Sequence, residues 1–158
     1  MYKRQVLDKF TLESVTLQLW DDVDVEADSV LTAEAGKGVA LQTTGGFELD
    51  YLTAGGNVRL QSEGSITGSN PDGGATMTVS GNLTLLSEAG SIKAKDGSAL
   101  KIQLASSKYL SAEAGGDVII EQVTGALRIS QIMATGYVEM QVSHGDMYVG
   151  RISSQAYI

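Results

Sequence analysis

The chain contains no cysteine, so neither a disulfide framework nor a thiolate metal site is available to it. Its single proline, Pro71, leaves nearly every other backbone N–H free to join a β-sheet. Aromatic residues make up only 6% of the 158 residues, whereas glycine, alanine, serine and threonine are abundant. A thin core of stacked aliphatic side chains is therefore expected, rather than a core built on bulky rings.

Positive charge is also scarce, because 11 lysines and arginines face 19 aspartates and glutamates, for a net charge of -8. A protein that binds nucleic acid or an anionic membrane surface needs a basic patch, and the sequence shows none. No apolar run approaches the roughly 18 residues of a membrane span. We expect no nucleic-acid partner, no membrane insertion and no cofactor.

The first five residues, Met1 to Gln5, resemble a translated adapter at the start of a metagenomic reading frame. No signal-peptide pattern is visible there. We therefore treat residues 1–5 as a non-native leader and residues 6–158 as one domain, and we expect the chain to be an internal piece of a longer protein. The lack of cysteine adds weak support for export.

Glycine supplies the main signal, because it recurs about every nine residues, each time just before a short alternating apolar segment. The series comprises Gly38, Gly46, Gly56, Gly64, Gly81, Gly90, Gly97, Gly116, Gly125, Gly136 and Gly145. Strands of three to five residues between glycine corners are too short for helices, and glycine disfavours helix interiors. Such corners need positive φ or close backbone approach. This nine-residue period is typical of a solenoid.

A repeated phrase accompanies the glycines, clearest over residues 31–149. Its copies begin at Leu31, Leu52, Leu86, Leu110 and, in degenerate form, Ile132. Second strands are predicted between them, at residues 47–49, 83–85, 100–104, 127–129 and 147–149. Residues 69–74, with Asn70-Pro71-Asp72-Gly73, are predicted to form a protruding loop. Two nine-residue periods make one coil, so the predicted fold is an all-β parallel β-helix with about seven or more coils of roughly 18–20 residues.

The segment LTAGGNVRLQSEGSITG, from Leu52 to Gly68, resembles the coils of filamentous-haemagglutinin-type exoproteins. These are large proteins that Gram-negative bacteria export by two-partner secretion. The resemblance implies a right-handed β-helix and a shaft segment of a secreted adhesin at the bacterial surface, with host or neighbouring-cell glycans or proteins as partners. No secretion module is matched. Val123 to Ile129 is similar, in addition, to half-coils of adhesin domains in shorter bacterial surface proteins.

An acidic run, Asp21, Asp22, Asp24, Glu26 and Asp28, is the sharpest local feature. Oxygen ligands suit calcium, and Asp22, Asp24 and Glu26 are the candidate ligands. Successive residues on one face of a strand stand about 7 Å apart, which is too far for one ion to gather more than two of them. A solvated acidic face is the favoured interpretation.

Catalytic chemistry is not predicted. His144 is the only histidine, and with Asp146 it makes half of a catalytic pair at most. Cations are spread along the chain, at Arg59, Lys93, Lys95, Lys101, Lys108 and Arg128. Among them, Lys93, Lys95 and Lys101 are the candidates to share a side and bind an acidic sugar. Another hypothesis is a sugar-stacking strip formed by Tyr109, Tyr137, Tyr148 and Tyr157.

Two alternatives stay open beside the shaft. A carbohydrate-binding or polysaccharide-cleaving β-helix domain would use the lysines, and a cytoskeletal polymer similar to the bactofilins would have shorter coils. No polar terminal coil or capping helix is evident in the sequence. We therefore expect open strand edges and end-to-end self-association.

Overall fold

The computed structural model describes residues 9–12, 17–18, 31–69 and 73–156, and this part of the chain forms β-strands without an α-helix. No helix among these residues has the length and apolar character needed to cross a bilayer. The nine-stranded sheet comprises β1 (Lys9–Leu12), β3 (Leu31–Ala35), β5 (Phe47–Ala54), β7 (Ile66–Gly68), β8 (Met77–Val79), β10 (Ile92–Ala94), β11 (Leu100–Leu104), β13 (Val118–Gln122) and β15 (Val138–Val142). The seven-stranded sheet comprises β2 (Leu17–Gln18), β4 (Val39–Thr43), β6 (Val58–Ser62), β9 (Leu83–Ser87), β12 (Tyr109–Ala114), β14 (Leu127–Ala134) and β16 (Met147–Ser154).

Strand pairing is parallel throughout the described residues, which confirms the all-β, parallel expectation. Each strand of the seven-stranded sheet pairs with the next only after the chain has visited the nine-stranded sheet. A parallel pair needs such a crossover, and here it is a strand rather than a helix. The path is compatible with a parallel β-helix.

The chain returns to the same sheet after a variable number of residues, and we call the number of residues between two aligned positions on neighbouring strands the length of the return. Val39 lies beside Val58 and Ile129 lies beside Val149, so each of these returns takes about 20 residues. In the middle, Val58 lies beside Leu83 and Leu83 beside Leu110, and each return takes about 26 residues. The expected coil length therefore holds for these two returns. It does not hold in the middle, nor for the first return, in which Leu17 lies beside Val39, 22 residues further along the chain. In the middle, extra residues lie between β7 and β8 and between β10 and β11. The residues of the predicted loop belong to the first of these two segments of the sequence.

The core lies between the two sheets, because alternate residues of nearly every strand point inward. Leu60, Leu85 and Ala112 occupy neighbouring register positions and are buried, as are Ile102 and Met77 in the other sheet. Full burial of an aliphatic side chain the size of leucine stabilises the fold by about 1.5–3 kcal/mol. The core is therefore a column of stacked aliphatic layers, as the composition predicts.

The corner glycines are required chiefly by close backbone approach. A Cβ on Gly81 would lie 2.5 Å from the carbonyl oxygen of Gly56 and would also collide with the backbone N of Asn57. Positive φ occurs at only four glycines of the described residues, for example Gly97 with a φ of 88°. Of the two reasons that the sequence suggested, the lack of space for a side chain therefore applies at most corners.

The repeated phrase serves two different corners. Its copies at Leu31 and Leu52 lead from the nine-stranded sheet into the seven-stranded sheet, whereas those at Leu86, Leu110 and Ile132 lead the opposite way. Both corners have the same need, a strand that ends in small residues before a tight turn. One phrase therefore satisfies both, and its copies do not stack in a single column.

β15 and β16 are the last strands of the described residues. Among the described strands, β15 pairs only with β13 and β16 only with β14. Met147 and Val149 continue the buried columns of Leu127 and Ile129, yet they are 36% and 52% exposed. Within the described residues, an apolar layer and a row of backbone hydrogen-bonding groups are accessible beside these two strands, and end-to-end association stays a prediction.

Candidate functional site

The outer face of the seven-stranded sheet carries a column of polar side chains. Arg59 follows Val58 and precedes Leu60, so the alternation that buries the two apolar residues turns the arginine outward. From β6 towards β16, the register aligns Arg59 with Thr84, Ser111, Gln131 and Arg151. With about 4.8 Å between neighbouring strands, this column spans about 19 Å.

A second column stands beside the first and contains aromatic rings. Tyr109, Arg128 and Tyr148 are aligned on β12, β14 and β16. The guanidinium carbon of Arg128 lies 4.4 Å from the centre of the Tyr148 ring, and its Nε donates to the carbonyl oxygen of Ser106 at 3.0 Å. The two tyrosines are 50% and 46% exposed. A cation is thus held against one ring, with a second ring on the adjacent strand.

An irregularity in β14 lets both columns face outward. The register shifts between Leu110 and Ser111, which leaves Ser130 as an extra residue between Ile129 and Gln131. In an uninterrupted strand, the two-residue period would put Arg128 and Gln131 on opposite faces of the sheet. The bulge therefore places the guanidinium of Arg128 on the same face as the side chain of Gln131.

This face, which we call the arginine face, consists of Arg59, Thr84, Ser111, Gln131, Arg151, Tyr109, Arg128 and Tyr148. None of its three arginines forms an ion pair with a carboxylate of the described residues. Arg59 donates instead to the amide oxygen of Gln61 at 3.0 Å. Glu113 is the only carboxylate at an outward position of the described part of this sheet. The outward positions of these strands therefore carry three positive charges and one negative charge, on a chain whose net charge is negative.

Two asparagines fix the margin of the arginine face. The amide oxygen of Asn57 accepts from the backbone N–H of Asn82 at 2.9 Å, and that of Asn82 accepts from the backbone N–H of Tyr109 at 3.0 Å. Each amide thus binds the backbone at the start of the next strand, just before β9 in one case and at the first residue of β12 in the other. A shallow groove of about 460 Å³ opens here, lined by Gly38, Val39, Ala40, Asn57, Val58, Arg59, Asn82 and Thr84.

The opposite corner carries a similar ladder. Ser65 Oγ accepts from the N–H of Ser91 at 3.1 Å, and Ser91 Oγ accepts from the N–H of Asp117 at 3.0 Å. Asp117 Oδ1 continues the ladder by accepting from the N–H of Tyr137 at 3.1 Å. The phenol of Tyr137 donates to Glu139, which raises the pKa of Tyr137 above its usual value. These bonds hold successive turns together and mark a structural corner.

The lysines predicted to contact sugar lie on the other sheet. Lys93 is on β10, with Lys95 just after it, and Lys101 is on β11. Lys93 pairs with Asp117 at 3.4 Å and Lys95 pairs with Glu48 at 2.6 Å. Carboxylates thus offset two of these charges, and Lys101 donates to the carbonyl oxygen of Gly73 at 3.0 Å. Sugar contact by these lysines stays a prediction.

The remaining candidates are not brought into one site. Asp22, Asp24 and Glu26, the candidate calcium ligands, lie outside the described residues. His144 is exposed at a corner, where its carbonyl oxygen accepts from the N–H of Gly125 at 2.7 Å. Within the described ranges, no three carboxylates or imidazoles are close enough to hold a metal ion.

The tyrosine strip is divided between the sheets. Tyr109 and Tyr148 share a column, Tyr137 stands at the opposite corner, and Tyr157 lies outside the described residues.

Sequence reasoning does not group the arginines. It predicts that Arg59 and Arg128 are spread out, although both stand between two apolar residues just after a corner, as Val-Arg-Leu and Leu-Arg-Ile. That shared local pattern is the available signal. It does not reveal which sheet each strand joins, and the bulge in β14 is also invisible in it.

The sequence matches no protein-family model, and it matches neither a curated protein nor a solved structure.

Proposed function

We propose that the chain is a right-handed parallel β-solenoid of about seven coils and a shaft segment of a large secreted bacterial surface adhesin or exoprotein. Its work is to extend the parent protein from the cell and to make weak, repeated contacts with host or neighbouring surfaces. The carrying observation is the parallel register that links all seven strands of one sheet, from β2 to β16. The resemblance of residues 52–68 to exoprotein coils supports the secreted, two-partner context.

A shaft must be rigid along its axis, and the packing supports that property. Aliphatic layers, the asparagine ladder and the serine ladder each join one strand to the next. Many small bonds between neighbouring turns give a quasi-one-dimensional body whose stability comes from contacts between adjacent repeats. Six steps between seven strands correspond to a length of about 29 Å per segment.

The test joins one, two and three copies of the full chain in tandem and measures their maximum dimension by small-angle X-ray scattering. A stacking shaft adds about 29 Å or more per copy in a straight line. Copies that fold separately and are joined by flexible connections give a maximum dimension that rises much more slowly with copy number. The second result would remove the shaft proposal, whatever the chain binds.

The alternative is a carbohydrate-binding or polysaccharide-cleaving β-helix domain, and the shallow groove beside Arg59 favours its binding form. Cleavage is tested by incubating the chain with acidic polysaccharides and measuring new reducing ends. Turnover that disappears in Lys101→Ala establishes the enzyme. Absence of turnover on every polymer leaves binding as the only form of this alternative.

A further inference from the structure

We propose that the arginine face binds an anionic polysaccharide lying along the stack of strands. This deepens the proposed function, on which it rests, by naming the ligand class of the adhesive contacts. The ligand is a polymer of sugar rings that carries carboxylate or sulfate groups. Arg59, Arg128 and Arg151 take the charged groups, and Tyr109 and Tyr148 lie against the rings.

Charge complementarity is the first argument. Three arginines that pair with no carboxylate of the described residues stand on one face, where Glu113 is the only carboxylate within the described strands. Asp146, which accepts from the hydroxyl of Tyr148 at 3.5 Å, lies at the margin. The outward positions of the nine-stranded sheet differ, because they hold glutamates, such as Glu48 and Glu121, together with the lysines. A guanidinium binds a carboxylate or sulfate through two parallel N–H bonds. The two sheets therefore offer different electrostatic surfaces, and the seven-stranded sheet is the one that attracts an anion.

Spacing selects an extended ligand. Arg59 and Arg128 are three strands apart, or about 14 Å along the stack, and Arg151 is one strand further. No single small anion contacts both ends of such a row. A polymer with a charge on every ring or every second ring meets them in turn. Between the charges, Thr84, Ser111 and Gln131 present hydroxyl and amide groups that hydrogen-bond to sugar hydroxyls.

The aromatic pair is the second, independent feature. Tyr109 and Tyr148 stand two strands apart in one column, about half exposed on a protein with few aromatic residues. Their rings combine an apolar surface with a polar hydroxyl, which suits the amphipathic face of a sugar. Arg128 is fixed between their strands by Tyr148 and by the carbonyl oxygen of Ser106. Binding therefore orders few additional groups, which lowers its entropic cost.

Nucleic acid fits this surface less well. Duplex DNA carries one charge per about 1.7 Å of its axis, so many phosphates would meet few cations. Glu63 and Glu88 directly follow β6 and β9, and Asp146 directly precedes β16, so carboxylates lie at both margins of the face and repel a wide, densely charged ligand. A single polysaccharide strand is narrow and more sparsely charged, and it fits between these margins.

The test measures binding of the full chain by isothermal titration calorimetry in buffer without divalent cations. The probes are polygalacturonate, dextran sulfate, neutral dextran and duplex DNA. Tighter binding of polygalacturonate identifies carboxylate as the ligand group, and tighter binding of dextran sulfate identifies sulfate. Equal binding of neutral dextran, tighter binding of DNA or no binding of either anionic polymer would overturn the proposal.

A matched pair of variants locates the site. The triple variant Arg59→Gln, Arg128→Gln, Arg151→Gln removes three positive charges from the arginine face and is expected to weaken binding about tenfold or more. The triple variant Lys93→Gln, Lys95→Gln, Lys101→Gln removes the same charge from the other sheet and is expected to change affinity less than about twofold. Equal losses in the two variants would show a long-range charge effect and refute the site.

A second variant guards against misfolding. Tyr109→Ala with Tyr148→Ala leaves the net charge unchanged and is expected to weaken polysaccharide binding while circular dichroism stays that of the parent chain. Unchanged affinity in this variant contradicts the stacking role. The scattering test of tandem copies does not depend on any of these residues, so failure of binding and failure of the shaft are distinguishable.

Discussion

Replacing Gly81 by alanine tests the reason for the nine-residue period of glycine. The added Cβ would lie 2.5 Å from the carbonyl oxygen of Gly56 and collide with the backbone N of Asn57, so main chain must move on a neighbouring turn. Gly81 also donates to that carbonyl at 3.1 Å, and any shift weakens the bond. Overpacking of this kind costs about 1–3 kcal/mol. We expect Gly81→Ala to lower the free energy of unfolding by about 2–3 kcal/mol.

The control is Gly45→Ala, at the opposite corner. Its Cβ would meet only the hydroxyl of Thr43, at 3.8 Å, and its φ is not positive. Alanine there restricts the unfolded chain and is expected to be neutral or to stabilise by up to about 1 kcal/mol. Urea unfolding followed by circular dichroism measures both variants against the parent. If the two substitutions cost the same, glycine is needed for conformation or composition, and the close-approach argument is wrong.

Three further predictions concern other parts of the chain. Gln122 is fully buried, and its side-chain amide accepts from the N–H of Leu104 at 3.1 Å and donates to the carbonyl oxygen of Leu104 at 2.8 Å. We expect Gln122→Leu to lower the free energy of unfolding, measured in urea, by about 3 kcal/mol, and a loss below about 1 kcal/mol would contradict this expectation. The hydroxyl and backbone N–H of Ser98 donate to Asp96 and hold the pKa of that carboxyl below its usual value. The resulting stabilisation of the fold is present above the unfolded-state pKa and is lost as the pH falls through the folded-state pKa. We expect Ser98→Ala to raise the pKa of Asp96 in an NMR titration, and an unchanged pKa would show that the bonds from Ser98 do not lower it. Val149→Lys places a charge in the exposed apolar layer, and we expect it to reduce the concentration-dependent association of the chain measured by sedimentation velocity. A parent chain that stays monomeric at all concentrations would refute end-to-end self-association.

Much of the strand pattern was predictable from local sequence. Residues 100–104 form β11 as predicted, and residues 47–49 and 127–129 begin strands that continue further than expected. Alternation of apolar and polar residues reports which side of a strand is buried, and this property depends only on neighbours along the chain. Of the predicted loop, residues 69, 73 and 74 are described, and all three lie outside the strands, in the first of the long returns.

The candidate site was less predictable, because it depends on register. Arg59, Arg128 and Arg151 are far apart in sequence, and they share a face only because their strands stack in the same sheet. The unequal lengths of the returns and the bulge at Ser130 decide that alignment. The lysines illustrate the converse, since their proximity in sequence did not reveal that carboxylates of other strands would pair with two of them.

The sequence by itself determined that this protein is a parallel stack of short strands. Small residues at regular corners and alternating aliphatic residues suit a stack in which each turn buries its apolar face against the next turn. Only the tertiary structure decided which corner each glycine phrase would form and which charges would be neutralised. Those outcomes depend on backbone contacts between successive turns, where about 4.8 Å separates residues that are distant in the chain.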